Sequence, residues 1–100
     1  MKRPRHVPKK MIDTGDIKRI IKRILTDHLD IDNNLISDTT DLYEEGIIDS
    51  LDVAVFETKL EDEFNIRFET KHFFDKRINY ISGLAEIIKD LAEGKDRDTE

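Results

Sequence analysis

The sequence contains no cysteine, which excludes disulfides, thiolate metal ligands and cysteine nucleophiles. Its fold must therefore rest on packing alone, which suits a reducing compartment. No apolar run approaches the roughly 20 residues that a membrane-spanning helix needs. Charges also occupy the first eleven residues, where a signal peptide would need an apolar segment. We expect a cytoplasmic protein with no membrane span.

Strand-type alternation, internal repeats and a sustained heptad pattern are also missing. At 100 residues, the chain is long enough for one domain with a modest core and too short to enclose a sizeable substrate cavity. Hydrophobic residues make up 37% of the chain and charged residues 40%. This composition allows each helix one buried apolar face, while most of the remaining surface is charged and hydrated. We expect a single all-α domain.

The net charge of −6 is unevenly distributed, because the first eleven residues carry +5 and the rest carry −11. The basic residues of this start are Lys2, Arg3, Arg5, Lys9 and Lys10. An acidic body repels phosphate backbones and attracts basic protein surfaces, so we expect no nucleic-acid partner. We assign 1–12 to a flexible basic N-terminal tail, 13–93 to the folded domain and 94–100 to a flexible C-terminal tail.

Apolar residues at the start of the body recur every three or four positions, which predicts an amphipathic helix. They are Ile17, Ile20, Ile21, Ile24, Leu25 and Leu29. Asp13 or Thr14 would cap this first helix. From Asp30 to Ile48 the period breaks down, which predicts a long loop. Its apolar residues should hold it against the core, and they are Leu35, Ile36, Leu42, Ile47 and Ile48.

A second helix is predicted to open at Asp49, run to about Phe64 and close at Asn65. Its inward stripe consists of Val53, Phe56, Leu60 and Phe64. Residues 67–77 predict a short helical turn whose aromatic side chains we expect in the core. These side chains belong to His72, Phe73 and Phe74.

A last helix is predicted between Asn79, as its cap, and Gly94, as its stop signal. Its inward residues are Ile81, Leu84, Ile87, Ile88 and Leu91. The predicted architecture is therefore a bundle of three main helices and one short helix, with a long loop between the first two main helices.

Ser50 lies where the long loop meets the second helix. If Asp49 is the cap, Ser50 is the first helical residue, and unpaired N–H groups and the helix dipole would favour a phosphate on its oxygen. Its hydroxyl would also be accessible to another enzyme. A tripeptide Asp-Ser-Leu alone also fits an ordinary polar residue in a first helical turn.

The longer string around Ser50 is more specific. Residues 41–52 read Asp-Leu-Tyr-Glu-Glu-Gly-Ile-Ile-Asp-Ser-Leu-Asp, and residues 60–66 read Leu-Glu-Asp-Glu-Phe-Asn-Ile. This pattern resembles the attachment-site signature of the acyl and peptidyl carrier proteins, and the resemblance extends over about 16–92. It implies a four-helix carrier bundle in which a phosphopantetheinyl transferase moves 4'-phosphopantetheine from coenzyme A onto Ser50.

Two departures from the fatty-acid carriers bear on the subclass. Ile47 and Ile48 separate Gly46 from Asp49, where fatty-acid carriers usually have one residue, and Val55 replaces a common docking acid. The spacing is more similar to that of aminoacyl, D-alanyl and peptidyl carriers. A specialised pathway, including secondary metabolite biosynthesis, is thus one interpretation beside fatty acid biosynthesis.

The resemblance also implies how the second helix is used. Asp49 and Leu51 would flank the covalent cofactor on Ser50, and partners would dock on the outer face of the helix. The docking residues would be Asp52, Ala54, Val55, Glu61 and Asp62. The partners implied are the transferase, an acyl- or aminoacyl-loading ligase and downstream acyl-processing enzymes, which act on a monomeric carrier. A solvated helix with scattered apolar residues is the simpler alternative for this face.

The same motifs also allow comparison with a serine nucleophile, a calcium loop and an unmodified adaptor. A catalytic Ser50 would need a histidine base, but His6, His28 and His72 show no matching pattern and the flanking glycines of a nucleophile elbow are missing, so we expect no catalytic residue. Residues 30–41 begin like a calcium loop, but Leu35 and Asp41 occupy the positions that need Gly and Glu, so we expect no metal site. The remaining alternative is an unmodified helical adaptor that recognises basic protein surfaces.

Overall fold

A computed structural model describes residues 13–94, and within this range the chain forms four α-helices and two 3₁₀ turns. The helices are α1 (Thr14–Leu29), α2 (Ser50–Phe64), α3 (Thr70–Phe73) and α4 (Ile81–Glu93). Within the described residues there is no strand, and the predicted bundle of three main helices and one short helix is confirmed. The predicted tails lie outside the described residues, apart from Gly94.

Helix α1 forms where the sequence predicts it, and Asp13 is its cap. The Asp13 carboxylate accepts a hydrogen bond from the Gly15 N–H at 3.3 Å, and Asp30 ends the helix in the left-handed conformation with φ 58°. Four apolar residues of the predicted stripe are buried, namely Ile17, Ile21, Ile24 and Leu25. Ile20 and Leu29 lie at the edge of the stripe and pack against the core from partly buried positions.

The core lies between α1, α2 and α4, with α1 packing most extensively against α4. The inward residues predicted for α4 are buried, except that Leu91 is half-buried near its end. Phe56 and Leu60 of α2 are each 1% exposed and close the third side. Burial of these side chains supplies the main drive for folding.

The long loop between α1 and α2 is tied to the bundle by polar contacts at Asp38. Its carboxylate lies 3.2 Å from the Lys18 ammonium and 2.9 Å from the Lys22 ammonium, and its carbonyl accepts the Ser82 N–H at 2.9 Å. The hydrogen bond from Lys22 is the largest cause that holds the pKa of Asp38 below its usual value. One loop residue therefore joins α1 to the start of α4.

Apolar side chains also hold this loop, as predicted, with one exception. Ile36, Leu42 and Ile48 are buried, and Ile47 packs against the core. Leu35 is instead 72% exposed, because it ends a 3₁₀ turn (Asn33–Leu35) that has no buried residue. The prediction that Leu35 holds the loop to the core is wrong.

The prediction that the aromatic side chains near α3 all lie in the core is also wrong. His72 is buried, and its Nδ1 accepts the Glu69 N–H at 2.8 Å. Phe68, which precedes the predicted cluster, is buried beside it, with ring centroids 6.1 Å apart. Phe73 and Phe74 are 44% and 82% exposed, since a helix of four residues turns only one side to the core.

The start of α4 differs from its prediction, because Asn79 does not cap it. Asn79 ends a 3₁₀ turn (Lys76–Asn79), and Tyr80 occupies the cap position without a side-chain hydrogen bond. A carbonyl from the long loop satisfies the Ser82 N–H in its place. The predicted stop is confirmed, since Gly94 adopts φ 77° directly after α4.

Candidate functional site

The turn that leads into α2 is organised by the buried Leu42. Its carbonyl accepts the N–H groups of Ile47 and Ile48, both at 3.0 Å, and its own N–H donates to the Asn79 carbonyl at 2.9 Å. Gly46 allows the turn because its φ is 74°, a value that favours glycine. Because Leu42 is fully buried and Ile48 is 2% exposed, the core fixes the point at which α2 begins.

Asp41 stabilises the same turn with its carboxylate. Its Oδ1 accepts the N–H groups of Tyr43 and Glu44 at 3.1 Å and 2.9 Å, and its Oδ2 accepts the Asn79 Nδ2 at 3.3 Å. The hydrogen bond from the Glu44 backbone is the largest cause that holds the pKa of Asp41 below its usual value. Asp41 is thus a charged anchor of the turn at neutral pH.

Asp49 and Asp52 form a capping box at the start of α2. The Asp49 Oδ1 accepts the N–H groups of Leu51 at 3.0 Å and Asp52 at 2.9 Å, while the Asp52 Oδ2 accepts the Asp49 N–H at 3.4 Å. Ser50 is therefore the first residue of α2, as the sequence predicts. Its side chain is exposed, and across 13–94 its hydroxyl has no hydrogen-bond partner.

The surroundings of Ser50 fit a phosphopantetheine group attached through its oxygen. The hydroxyl is unpaired, accessible and carried on a regular helix, and the positive end of the α2 dipole lies beside it. The expectation that unpaired amides would stabilise the phosphate is narrowed to the Ser50 N–H, because Asp49 already accepts the N–H groups of Leu51 and Asp52. The two carboxylates of the capping box also add negative charge, so the Ser50 N–H and the dipole are the favourable contributions that remain.

The outer face of α2 is exposed and partly apolar. Leu51 is 80% exposed and Val55 is 43% exposed, with Ala54, Thr58 and Asp62 also at the surface. These positions recur every three or four residues, so they share one side of the helix, away from Phe56 and Leu60. The structure therefore places most of the predicted docking residues on one accessible surface.

Two acidic residues of α2 have contacts that the sequence did not predict. Glu61 is only half-exposed, and its Oε2 accepts the Phe68 N–H at 2.9 Å, which ties the chain before α3 to α2. Glu57 is also half-buried, and this burial, together with the nearby charge of Glu61, raises its pKa. Asp52 is half-buried by its capping role. Among the predicted docking acids Asp52, Glu61 and Asp62, Asp62 is thus the exposed one.

No histidine is positioned as the partner of a serine nucleophile in the part of the chain that the structure describes. His28 is exposed in the last turn of α1, and the buried His72 has its Nδ1 occupied by the Glu69 N–H. His6 lies outside the described residues. Tyr43 precedes Ser50 in the chain, but burial raises its pKa to about 12, so its phenol stays neutral.

The two aspartates that begin the calcium-like pattern have local roles in the structure. Asp30 ends α1, and Asp32 caps the following 3₁₀ turn by accepting the Asn34 N–H at 2.9 Å. Residues 13–94 hold no group of three or more His, Asp or Glu side chains arranged to bind a metal ion.

The exposure of Phe73 and Phe74 carries no clear signal in the sequence. Successive residues of a helix point about 100° apart, yet adjacent apolar residues are both buried elsewhere in the protein, as Ile87 and Ile88 are in α4. The role of Glu61 carries no signal either, because it depends on how the chain after α2 folds back.

A family model described as a phosphopantetheine attachment site matches residues 19–90. No curated protein and no solved structure gave a significant match to the chain. Among the described helices, none is both long and apolar enough to cross a membrane. The matched span contains α2 and α3 entirely and most of α1 and α4. The chain therefore belongs to the phosphopantetheine attachment-site family of carrier domains.

Proposed function

We propose that this carrier bears 4'-phosphopantetheine on Ser50 and presents acyl or aminoacyl groups to partner enzymes. The observation that supports it best is the unpaired, exposed Ser50 hydroxyl at the first residue of α2, held in place by the capping box and by the buried Leu42 and Ile48. The terminal thiol of the attached group would hold each intermediate as a thioester. The chain itself is not catalytic, and its partners perform the chemistry.

A phosphopantetheinyl transferase would supply the group from coenzyme A, with Asp49 and Leu51 flanking the attachment point. Asp49 caps the start of α2 with two hydrogen bonds, and the exposed Leu51 side chain offers apolar contact beside Ser50. Once a group is tethered, its effective concentration at a docked enzyme reaches about the millimolar range. Because Ser50 is the first residue of a helix, the point at which the group is attached keeps a fixed position relative to the bundle.

The outer face of α2 is the docking surface in this proposal. Leu51, Ala54 and Val55 would be covered by the partner, while Asp52, Glu61 and Asp62 would meet basic groups around the contact. Acids at such a rim mainly increase the encounter rate and set orientation rather than affinity. The transferase, the loading ligase and the downstream enzymes would share this surface.

The subclass favoured is a stand-alone carrier of aminoacyl or specialised acyl groups. Two residues separate Gly46 from Asp49, and Val55 presents an exposed apolar side chain where fatty-acid carriers commonly have an acid. The lack of cysteine suits a reducing compartment, so we place the protein in the cytoplasm. We also propose that it acts as a monomer.

Intact-protein mass spectrometry after incubation with coenzyme A and a phosphopantetheinyl transferase tests the proposal. The wild-type chain should gain one phosphopantetheinyl group, while Ser50→Ala should gain none and keep its helical circular dichroism, because Ser50 is exposed and unpaired. Ser37→Ala and Ser82→Ala are the matched controls and should be modified normally.

Two results would contradict the proposal. Modification of Ser50→Ala would move the attachment site to another serine. An unchanged mass of the wild-type chain would favour an unmodified adaptor, which needs only the exposed acidic and apolar face of α2.

A further inference from the structure

Asn79 makes two contacts with the turn that leads to Ser50, although it belongs neither to that turn nor to α2. Its carbonyl accepts the Leu42 N–H at 2.9 Å, and its Nδ2 donates to the Asp41 Oδ2 at 3.3 Å. The second contact joins side chains that lie 38 positions apart in the sequence. Because the Asp41 carboxylate is charged at neutral pH, this hydrogen bond has a charged acceptor, which strengthens it.

The segment that carries Asn79 is held against α4. Ile78 and Ile81, on either side of it, are buried in the core. Gly83, in the first turn of α4, lies so close to Arg77 that a Cβ at this position would overlap the Arg77 backbone. The chain from Arg77 to the start of α4 is therefore closely packed, and Asn79 makes its two contacts from a fixed position.

Asp41 and Leu42, the two residues that Asn79 holds, accept hydrogen bonds from most of the turn. The donors are the backbone N–H groups of Tyr43, Glu44, Glu45, Ile47 and Ile48. Asp49 follows directly, and its capping bonds form only when the turn places its carboxylate beside the first N–H groups of α2. Through these bonds, Asn79 is connected to the residue that caps α2.

We propose that the Asn79 side chain is a positioning group for the modification of Ser50, because it holds Asp41 and with it the turn and the start of α2. This inference rests on the proposed function, since it concerns the reaction that modifies Ser50. In that reaction, the Ser50 Oγ forms a bond to the phosphorus of coenzyme A that carries pantetheine. The bond from this phosphorus to the bridging oxygen of the pyrophosphate breaks, adenosine 3',5'-bisphosphate leaves with that oxygen, and a base of the transferase takes the hydroxyl proton.

Loss of the Asn79 side chain should slow this reaction without weakening docking. The proposed docking surface lies on the outer face of α2, at residues such as Leu51 and Val55, whereas Asn79 contacts the turn before α2. A released turn allows the first residues of α2 to fray, so Ser50 spends less time in line with the phosphorus. Displacement of reacting atoms by about 1 Å already lowers rates steeply. The expected change is therefore in kcat and not in KM.

Steady-state kinetics of the transferase with the unmodified carrier as its substrate test the inference. For Asn79→Ala we expect a kcat about tenfold below wild type, which corresponds to about 1.4 kcal/mol, with KM within about twofold. Asn79→Asp should lose at least as much, because it places a second carboxylate beside that of Asp41. Single-turnover rates with excess transferase should fall as well, which assigns the loss to the transfer step.

The exchanged pair Asp41→Asn/Asn79→Asp distinguishes positioning from a general structural role. The exchange keeps the net charge of the protein. The amide introduced at position 41 retains an oxygen for the N–H groups of Tyr43 and Glu44, and its nitrogen can donate to the carboxylate introduced at position 79. We expect the exchange to restore kcat to within about threefold of wild type, although Asn79→Asp alone does not.

Ile88→Val is the control for stability, since Ile88 is fully buried in α4 and lies outside the turn. It should lower the midpoint of thermal denaturation and leave kcat unchanged. A wild-type kcat for Asn79→Ala, a loss that is confined to KM, or a loss that the exchange does not restore would each overturn the inference. An equal loss of kcat in Ile88→Val would also overturn it, because general destabilisation would then explain both variants.

Asn79→Ser provides the same comparison if Asn79→Ala fails to fold, because a serine hydroxyl ends before the position of the Asn79 Nδ2. Normal kinetics for every Asn79 variant would leave the proposed function standing, since wild-type Ser50 would still be modified. Absence of any modification at wild-type Ser50 would instead overturn the proposed function itself.

Discussion

Phe56 and Phe64 share one stripe of α2 but differ in burial. Phe56 is 1% exposed, while Phe64 lies in the last turn and only packs against the edge of the core. We expect Phe56→Ala to lower the free energy of unfolding by about 3–5 kcal/mol, as complete burial implies. Phe64→Ala should cost less, about 1–2 kcal/mol, because a partly exposed ring loses fewer contacts. Urea denaturation of the two variants measures the difference, and equal losses would contradict it.

The period of a helix thus identifies which residues face inward but not how deeply each is buried. The stripe of Val53, Phe56, Leu60 and Phe64 was predicted correctly as a face, yet only its two middle members are fully buried. Burial at the end of a helix depends on what the rest of the chain brings there. The same limit applies to Phe73 and Phe74, because the apolar composition does not show that His72 is the side chain of this turn that is buried.

At the scale of the helix, the capping box of α2 has two separable properties, its hydrogen bonds and its charge. Asp49→Ala removes the bonds to the N–H groups of Leu51 and Asp52, so we expect it to destabilise the protein by about 1 kcal/mol. Asp49→Ser removes the charge but keeps a cap, so its stability should stay close to wild type. Thermal denaturation compares stability, and kcat/KM of the transferase compares modification.

The two variants also distinguish positioning from electrostatics. If Asp49 acts as a cap, Asp49→Ser should be modified at nearly the wild-type rate, and Asp49→Ala more slowly. Equal rates for the two variants, both well below wild type, would show that the transferase recognises the carboxylate.

Helix boundaries were predicted best where they depend on local chemistry. Asp13, Asp49, Asn65 and Gly94 end or begin helices through their own side chains or backbone conformations, and each can be read from the sequence. The start of α4 was misplaced because its cap comes from elsewhere. The carbonyl of Asp38 accepts the Ser82 N–H. Asp38 lies far from α4 in the sequence, so the sequence of α4 alone does not predict this contact.

At the scale of the whole molecule, the described residues carry ten basic and twenty acidic side chains, a net charge of −10. Such a body should attract a basic partner before any apolar contact forms. Raising the salt concentration to about 1 M shortens the Debye length from about 8 Å to about 3 Å, so we expect the transferase KM to rise.

Two charge reversals separate a docking surface from overall charge. Asp62→Lys changes the exposed acid on the outer face of α2, and Asp27→Lys makes the same change on α1. We expect Asp62→Lys to raise KM and reduce its salt dependence, with little effect of Asp27→Lys. Equal effects would mean that net charge alone drives the encounter. Glu61 is unsuitable for this comparison, because reversing it would also break the hydrogen bond from Phe68.

For protein engineering, the anchored loop between α1 and α2 divides into parts that tolerate change differently. Asp38 bonds to two lysines and to the start of α4, and Leu42 bonds to Asn79 and to both residues that precede Asp49. A tag inserted at either residue would break these contacts and displace the helix that carries Ser50. Glu44 and Glu45 are exposed at the tip of the turn, so this is where substitutions can change the surface to suit a new partner. Residues should be neither inserted nor deleted on either side of the tip.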